Sequence, residues 1–237
     1  MKKALIIGGC GFVGRYLAEH LKTNGDQVFV TKLPHEKIKT EEYGVYDLDI
    51  LDAEKVFSLL NHIQPDAIYH LAAQSSVAQS WKNPGLTVDI NIKGTLNILN
   101  SIRKLTYFPR ILLVGSGEEY GRVLPEEVPI DEETLLRPGN IYAATKASQN
   151  MLGKIYTDAY GMDIIMVRAF NHIGPGQSEQ FVVSDFCKQV ATLERDQSLS
   201  VIRVGNLKAK RDFTDVRDVV RAYALLMESG NRGETYN

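Results

Sequence analysis

The chain has 237 residues, 44% hydrophobic and 24% charged, a composition that supports a sizeable buried core. Its 27 basic and 29 acidic side chains leave a net charge of −2, so no positive excess points to nucleic acid or an anionic membrane as partner. Cys10 and Cys187 lie far apart, no spacing suggests a metal site, and no apolar run approaches the length of a membrane span, so the expectation is a reduced, cytoplasmic protein.

Residues 4–7 are continuously apolar and bounded by glycine, the pattern of a strand buried on both faces. Phe12, Val13, Tyr16, Leu17 and Leu21 follow at helical spacing, and Asn24-Gly25 supplies a stop. Strands are predicted at 28–30 and 45–48, a helix at 53–60, and a fourth strand at 67–71. Asn83-Pro84 reads as a cap followed by proline at the first helical position, opening a long helix to about residue 105. A fifth strand at 111–114, a helix from Tyr142 to about Tyr160 and a sixth strand at 164–167 complete the alternation. Such alternation of buried strands with helices specifies an α/β fold with a doubly wound parallel sheet of Rossmann type. Glycine, proline and polar residues cluster after Phe170. A helix at 181–194, a strand at 199–204 and a helix capped by Asp215 and running to about Glu228 are then expected. Residues 234–237 read as the start of a strand, and the chain is expected to be cut short there. The predicted organisation is a dinucleotide-binding domain over 1–168. A small, incomplete substrate-binding region over 169–237 interleaves with its last elements.

Gly8, Gly11 and Gly14 stand directly after the first strand and before the first helix, around Phe12 and Val13. A dinucleotide pyrophosphate needs close backbone approach and free amides at a helix N-terminus, which side chains at these positions would block. Cys10 within the loop is either activated by that terminus or simply a small residue that fits. At the end of the second strand, where an acid would hold the ribose hydroxyls of NAD, stand Thr31 and Lys32, with Arg15 nearby. A cation and no acid favour NADP(H), with NAD(H) the alternative; Lys32 is otherwise a surface lysine. Asp49-Ile50 places a carboxylate for an adenine amino group or, alternatively, caps a turn.

Tyr142 and Lys146 are four apart in a predicted helix and share a face. An unperturbed tyrosine titrates near ~10, and a nearby ammonium together with a cofactor cation is expected to pull it down toward useful acid–base chemistry. Ser116 follows the fifth strand, at the carboxyl edge where open parallel sheets bind ligands, and its hydroxyl can polarise a carbonyl. The five histidines form no metal set.

With these residues the chain resembles the extended short-chain dehydrogenase/reductase family of nucleotide-sugar epimerases, dehydratases and reductases. The resemblance spans essentially all 237 residues. It rests on the glycine loop, Asp49-Ile50, His70-Leu71-Ala72-Ala73, Asn91 with Gly94-Thr95, Ser116, Tyr142-x-x-x-Lys146 and Arg168-Ala169-Phe170-Asn171. Within the family it is most similar to the GDP-4-keto-6-deoxy-mannose reductases, through residues 115–122, 137–142, 170–177, 205–207 and 211–216. The resemblance implies reduction of a C4 ketone on a GDP-sugar by NAD(P)H, with Ser116, Tyr142 and Lys146 catalytic. It implies cofactor contacts from the glycine loop, Lys32, Asp49, Ile50, Leu71, Ala72, Ala73 and Asn91, and substrate contacts from Ser75, Ser116, Glu118, Asn171, Lys188 and Arg211. Lys188 and Arg211 are otherwise a solvated helix lysine and part of a basic loop. Glu118 matches the general-base glutamate of the related dehydratases, which keeps GDP-mannose 4,6-dehydration as the alternative reaction. A dinucleotide-binding sensor without turnover is the non-enzymatic alternative. The helices near 84–105 and 142–160 resemble those of the family's homodimer interface.

Overall fold

A computed structural model describes residues 1–37, 42–196 and 201–237. Strand β1 (Lys3–Ile7) leads through the glycine loop into α1 (Phe12–Thr23), followed by β2 (Gln27–Lys32) and β3 (Gly44–Asp47). Helix α2 (Ala53–Ile63) precedes β4 (Ala67–His70), and the short α3 (Val77–Lys82) comes next. The predicted long helix begins at Pro84 as α4 (Pro84–Val88), widens to a π turn over Asp89–Gly94, and continues as α5 (Thr95–Arg103). Then come β5 (Arg110–Val114), a 3₁₀ turn (Gly117–Tyr120), α6 (Ile141–Tyr160), β6 (Ile164–Val167), β7 (Asn171–Ile173), α7 (Val182–Arg195), β8 (Phe213–Asp215), α8 (Val216–Ser229) and β9 (Thr235–Tyr236).

The main sheet has seven strands in the order β3-β2-β1-β4-β5-β6-β9, all parallel. Alternate strand residues feed two cores, as a sheet buried on both faces requires. Ala4, Ile6, Val28 and Val30 pack with Leu17 and Leu21 of α1 and Val219, Val220 and Tyr223 of α8. Leu5, Ile7, Ile68 and Ile111 pack on the opposite face with Val56 and Leu60 of α2, Ile98 and Leu99 of α5 and Tyr156 of α6. The sheet is therefore doubly wound, as its alternation predicts.

One expectation is corrected. Residues 201–204 form no strand; Leu199 and Ser200 of that expected element lie outside the described residues. Instead β7 and β8 pair in parallel as a separate two-stranded sheet, with Asn171 opposite Phe213 and Ile173 opposite Asp215. Each strand is three residues long and they are separated by about forty, so no local pattern announces them. The strand anticipated at the end of the chain is β9, paired with β6. Among the described residues no helix is long and apolar enough to cross a membrane, and no cluster of His, Cys, Asp or Glu could hold a metal ion.

Candidate active site

The carboxyl ends of β1, β4 and β5 lie side by side, because those strands are neighbours in the sheet. That places the glycine loop, residues 71–73 and Ser116 along one edge. Gly8 has φ +85°, and a Cβ there would lie 2.7 Å from the Ala72 backbone. Leu71 and Ala72 both donate to the Ile7 carbonyl, at 2.9 and 2.8 Å, which draws the two loops together. A Cβ on Gly14 would sit 2.6 Å from the Gly9 backbone, so α1 starts tight against the loop. Gly11 caps α1 with no side chain bonded to the first turn, and that turn carries no acid. The first amides of α1 are thus left for an anionic group, and this cradle fits a dinucleotide pyrophosphate. Phe12 and Val13 turn inward to pack on the core.

Thr31, which the sequence reading left without a task, is buried, and its hydroxyl accepts the Gly8 amide at 3.0 Å. Lys32 is paired with Asp47, so its charge is shared within the protein. Arg15 remains exposed beside the loop. Burial, with Glu36 adding to it, pushes the Cys10 thiol up, so Cys10 is the small residue that fits and not an activated thiol. Asp49 caps a turn: its carboxylate accepts the Leu51 amide at 2.9 Å, while Ile50 is buried.

Asn91 sits inside the π turn, fully buried. Its amide donates to the Thr145 hydroxyl at 2.9 Å and to the Gln74 carbonyl at 3.1 Å, and its oxygen accepts the Gln74 amide at 2.8 Å. It therefore joins the 71–76 loop to α6. Ser75 is exposed on that loop.

Asn140 caps α6 by accepting the Ala143 amide at 2.8 Å, and the helix carries Tyr142 and Lys146 into the protein. Both are buried, as is Ser116. The Ser116 hydroxyl favours the ionised Tyr142 phenol, against the larger effect of burial. Lys146 donates from Nζ to the Val114 carbonyl at 2.7 Å and to Gln149 Oε1 at 3.2 Å. Lys146 by itself does not draw the tyrosine down. Burial, reinforced by Glu119 and Glu118 against the Ser116 hydrogen bond, pushes Tyr142 up to about 12. Burial draws Lys146 itself down to about 8, opposed by Glu119. The ammonium is committed to the β5 carbonyl, and desolvation of the phenolate outweighs any distant cation.

Glu118 is half-buried in the 3₁₀ turn, where its Oε2 accepts the Asn140 amide at 3.3 Å. The remaining candidates do not join this cluster. Asn171 donates from backbone and side chain to the Asp212 carbonyl, at 3.3 and 3.0 Å, and so ties β7 to β8. Lys188 is exposed and paired with Glu179, and Arg211 reaches only the Lys210 carbonyl. A cavity of about 350 Å³ lies behind the site, lined by Asn150, Met151, Lys154, Arg168 and Thr235 among others. None of Ser116, Tyr142 and Lys146 lines it, so the reacting group belongs at the open carboxyl edge and not in this cavity.

A parallel sheet with a glycine cradle at its first turn, and a serine, tyrosine and lysine at the next open strand end, define a nucleotide-binding protein of the short-chain dehydrogenase/reductase class. Residues 5–237 match the model of the GDP-mannose 4,6 dehydratase family, and the chain belongs to that family. It is 32% identical over 236 residues to a GDP-6-deoxy-D-mannose reductase of Pseudomonas aeruginosa, covering 100% of this chain and 74% of that protein. It is 31% identical to a GDP-mannose 4,6-dehydratase of Yersinia enterocolitica, covering 96% of this chain and 65% of that one. The solved structure of RMD from Pseudomonas aeruginosa complexed with NADPH superposes with a TM-score of 0.87 at 32% identity, over 100% of this chain and 77% of its own.

Proposed function

We propose that the chain is a nucleotide-sugar reductase, acting on the C4 ketone of a GDP-4-keto-6-deoxy-hexose. The observation that carries this reading is the burial of Ser116, Tyr142 and Lys146 together at the carboxyl end of β5, with Lys146 bonded to the Val114 carbonyl. A reduction needs a proton donor at the oxygen that becomes an alkoxide, and a buried phenol kept neutral is such a donor. Ser116 holds the same oxygen by hydrogen bonding, and Lys146 braces the helix against β5. The nicotinamide dinucleotide, NADP(H) in preference to NAD(H), supplies the hydride when bound. The backbone of residues 8–14 and 71–73 cradles it, with Arg15 and Lys32 toward its ribose. Ser75, Asn171, Lys188 and Arg211 are assigned to the nucleotide sugar, within a substrate region over 169–237. A homodimer through the helices near 84–105 and 142–160 is part of the same reading, supported by the exposed apolar Leu86, Met151 and Ile155. The cytoplasmic assignment rests on the two free cysteines.

The dehydratase is the second reading, favoured by the position of Glu118 two residues after Ser116 and by the relatives of that name. The engagement of Glu118 with the helix cap Asn140 speaks for a positioning task instead. The test follows NADPH absorbance after adding GDP-4-keto-6-deoxy-mannose to the protein and to Tyr142→Phe. Substrate-dependent loss, absent in the variant, establishes the reductase. GDP-mannose consumed without net change in NADPH establishes the dehydratase. Stabilisation by cofactor without turnover, unaltered in Tyr142→Phe, establishes a sensor.

A further inference from the structure

Glu119 takes no part in the proton transfer described above, yet it is fully buried, at 0% exposure. A buried carboxylate is costly unless paired and hydrogen-bonded. Glu119 has partners on both oxygens. Oε1 accepts the Ser116 amide at 2.8 Å and the Asn150 amide at 3.0 Å. Oε2 accepts from Asn150 at 2.8 Å and forms an ion pair with Arg168 Nε at 3.4 Å. Arg168 is itself held, donating to the Tyr120 hydroxyl at 3.0 Å and the Glu132 carbonyl at 2.8 Å. The strand end leaves room for the carboxylate only because residue 115 is glycine: a Cβ there would lie 2.3 Å from Glu119 Oε1.

The placement of Asn150 gives this cluster its meaning. Tyr142, Lys146 and Asn150 are spaced by four and share one stripe of α6. Glu119 therefore joins the backbone of Ser116 to the helix that carries the phenol. The Ser116 hydroxyl in turn accepts the Glu118 amide at 3.2 Å, so this residue is fixed at backbone and side chain alike. An apolar side chain at 119 could fill the space, but would leave the Ser116 and Asn150 amides without an acceptor and Arg168 Nε without its ion-pair partner. We propose that Glu119 is a positioning residue of the reaction: its carboxylate clamps Ser116 to Asn150 and so sets the Ser116 hydroxyl against Tyr142. The catalytic part of this assignment rests on the reductase reading; the clamp itself does not.

The experiment compares Glu119→Gln, Asn150→Asp and the two combined. Glutamine keeps one acceptor oxygen but sets an NH2 in place of the oxygen that takes the second Asn150 bond and the Arg168 ion pair, and aspartate at 150 supplies an acceptor for that NH2. With GDP-4-keto-6-deoxy-mannose and NADPH, Glu119→Gln is expected to lower kcat about ten- to a hundredfold. KM for the sugar and NADPH affinity should change less than about threefold, since the loss is of geometry and not of binding. Combining it with Asn150→Asp is expected to recover most of the rate. Hydrogen exchange of the segment around Ser116 should accelerate at least about tenfold in Glu119→Gln and slow again in the pair, while β1 and α1 stay unchanged. Unaltered exchange around Ser116 overturns the clamp. A kcat within twofold of the parent, or no recovery in the pair, overturns the positioning role. If the parent itself consumes no NADPH with this sugar, the reductase reading fails while the clamp is still decided by exchange.

Discussion

Helices α6 and α7 are both long, and the molecule uses them in opposite ways. Helix α6 buries ten of its 20 residues, polar ones such as Lys146, Gln149 and Asn150 among them, each with a partner. Helix α7 buries none of its 14. Around α6 the side chains proposed for chemistry are held by several elements at once. Around α7, and along the exposed 201–211 stretch, side chains proposed for the nucleotide sugar are held by one ion pair or one backbone carbonyl. Reacting groups need fixed geometry before the substrate arrives, whereas a surface that gathers a large ligand can organise around it.

The sharpest way to break this contrast is at the tyrosine. Tyr142→Phe is expected to lower kcat about a thousandfold, with NADPH affinity preserved, as read by stopped-flow absorbance and fluorescence titration. Next comes packing. Gly14→Ala drives a methyl to 2.6 Å from the Gly9 backbone and is expected to cost about 1–3 kcal/mol of stability in urea unfolding. Gly205→Ala, with nothing within 4 Å, should stay within about 0.5 kcal/mol. Were the two alike, the start of α1 would be no more tightly packed than the 201–211 stretch. Lys188→Ala and Arg211→Ala are expected to raise KM for the nucleotide sugar several-fold while leaving kcat and the melting temperature nearly unchanged, because neither side chain is buried.

The smallest effect is one of pH. Burial lowers His70 to about 3 and His172 to about 4. Between those values and the ordinary imidazole range the unfolded chain binds more protons than the folded one. Stability is therefore fully present above about pH 6.5 and declines as pH falls toward 4. His172→Gln, near the substrate strand, is expected to flatten part of that decline in thermal melts taken across pH 4–7. An unchanged slope would assign the acid sensitivity elsewhere.

What the sequence displayed was whatever has a local pattern. The apolar runs of β1, β4 and β5 and the four-residue spacing of Tyr142 and Lys146 carry their own periodicity. The pairing of β7 with β8 does not, because two three-residue strands gain their order from each other and from α8. Thr31 and Glu119 escaped for a related reason. A threonine ending a strand and the second of two acids in a turn look like surface residues until the partner loop or helix is brought beside them. The burial of Tyr142 also depends on the whole fold, while the proximity of a lysine can be counted along a helix.

The π turn at Asp89–Gly94 has a consequence for how the site can be altered. A π turn accommodates one residue more than an α-helical turn does, and each residue advances a helix by about 100°. Deleting a single residue between Asp89 and Gly94 would let α4 and α5 run on as ordinary helix, and would swing Asn91 off the line that joins Gln74 to Thr145. Every side chain of the site could then be retained and the 71–76 loop would still lose its anchor to α6. This part of the molecule's design is written in the number of residues, so an alignment gap of one here carries as much meaning as the loss of a catalytic side chain.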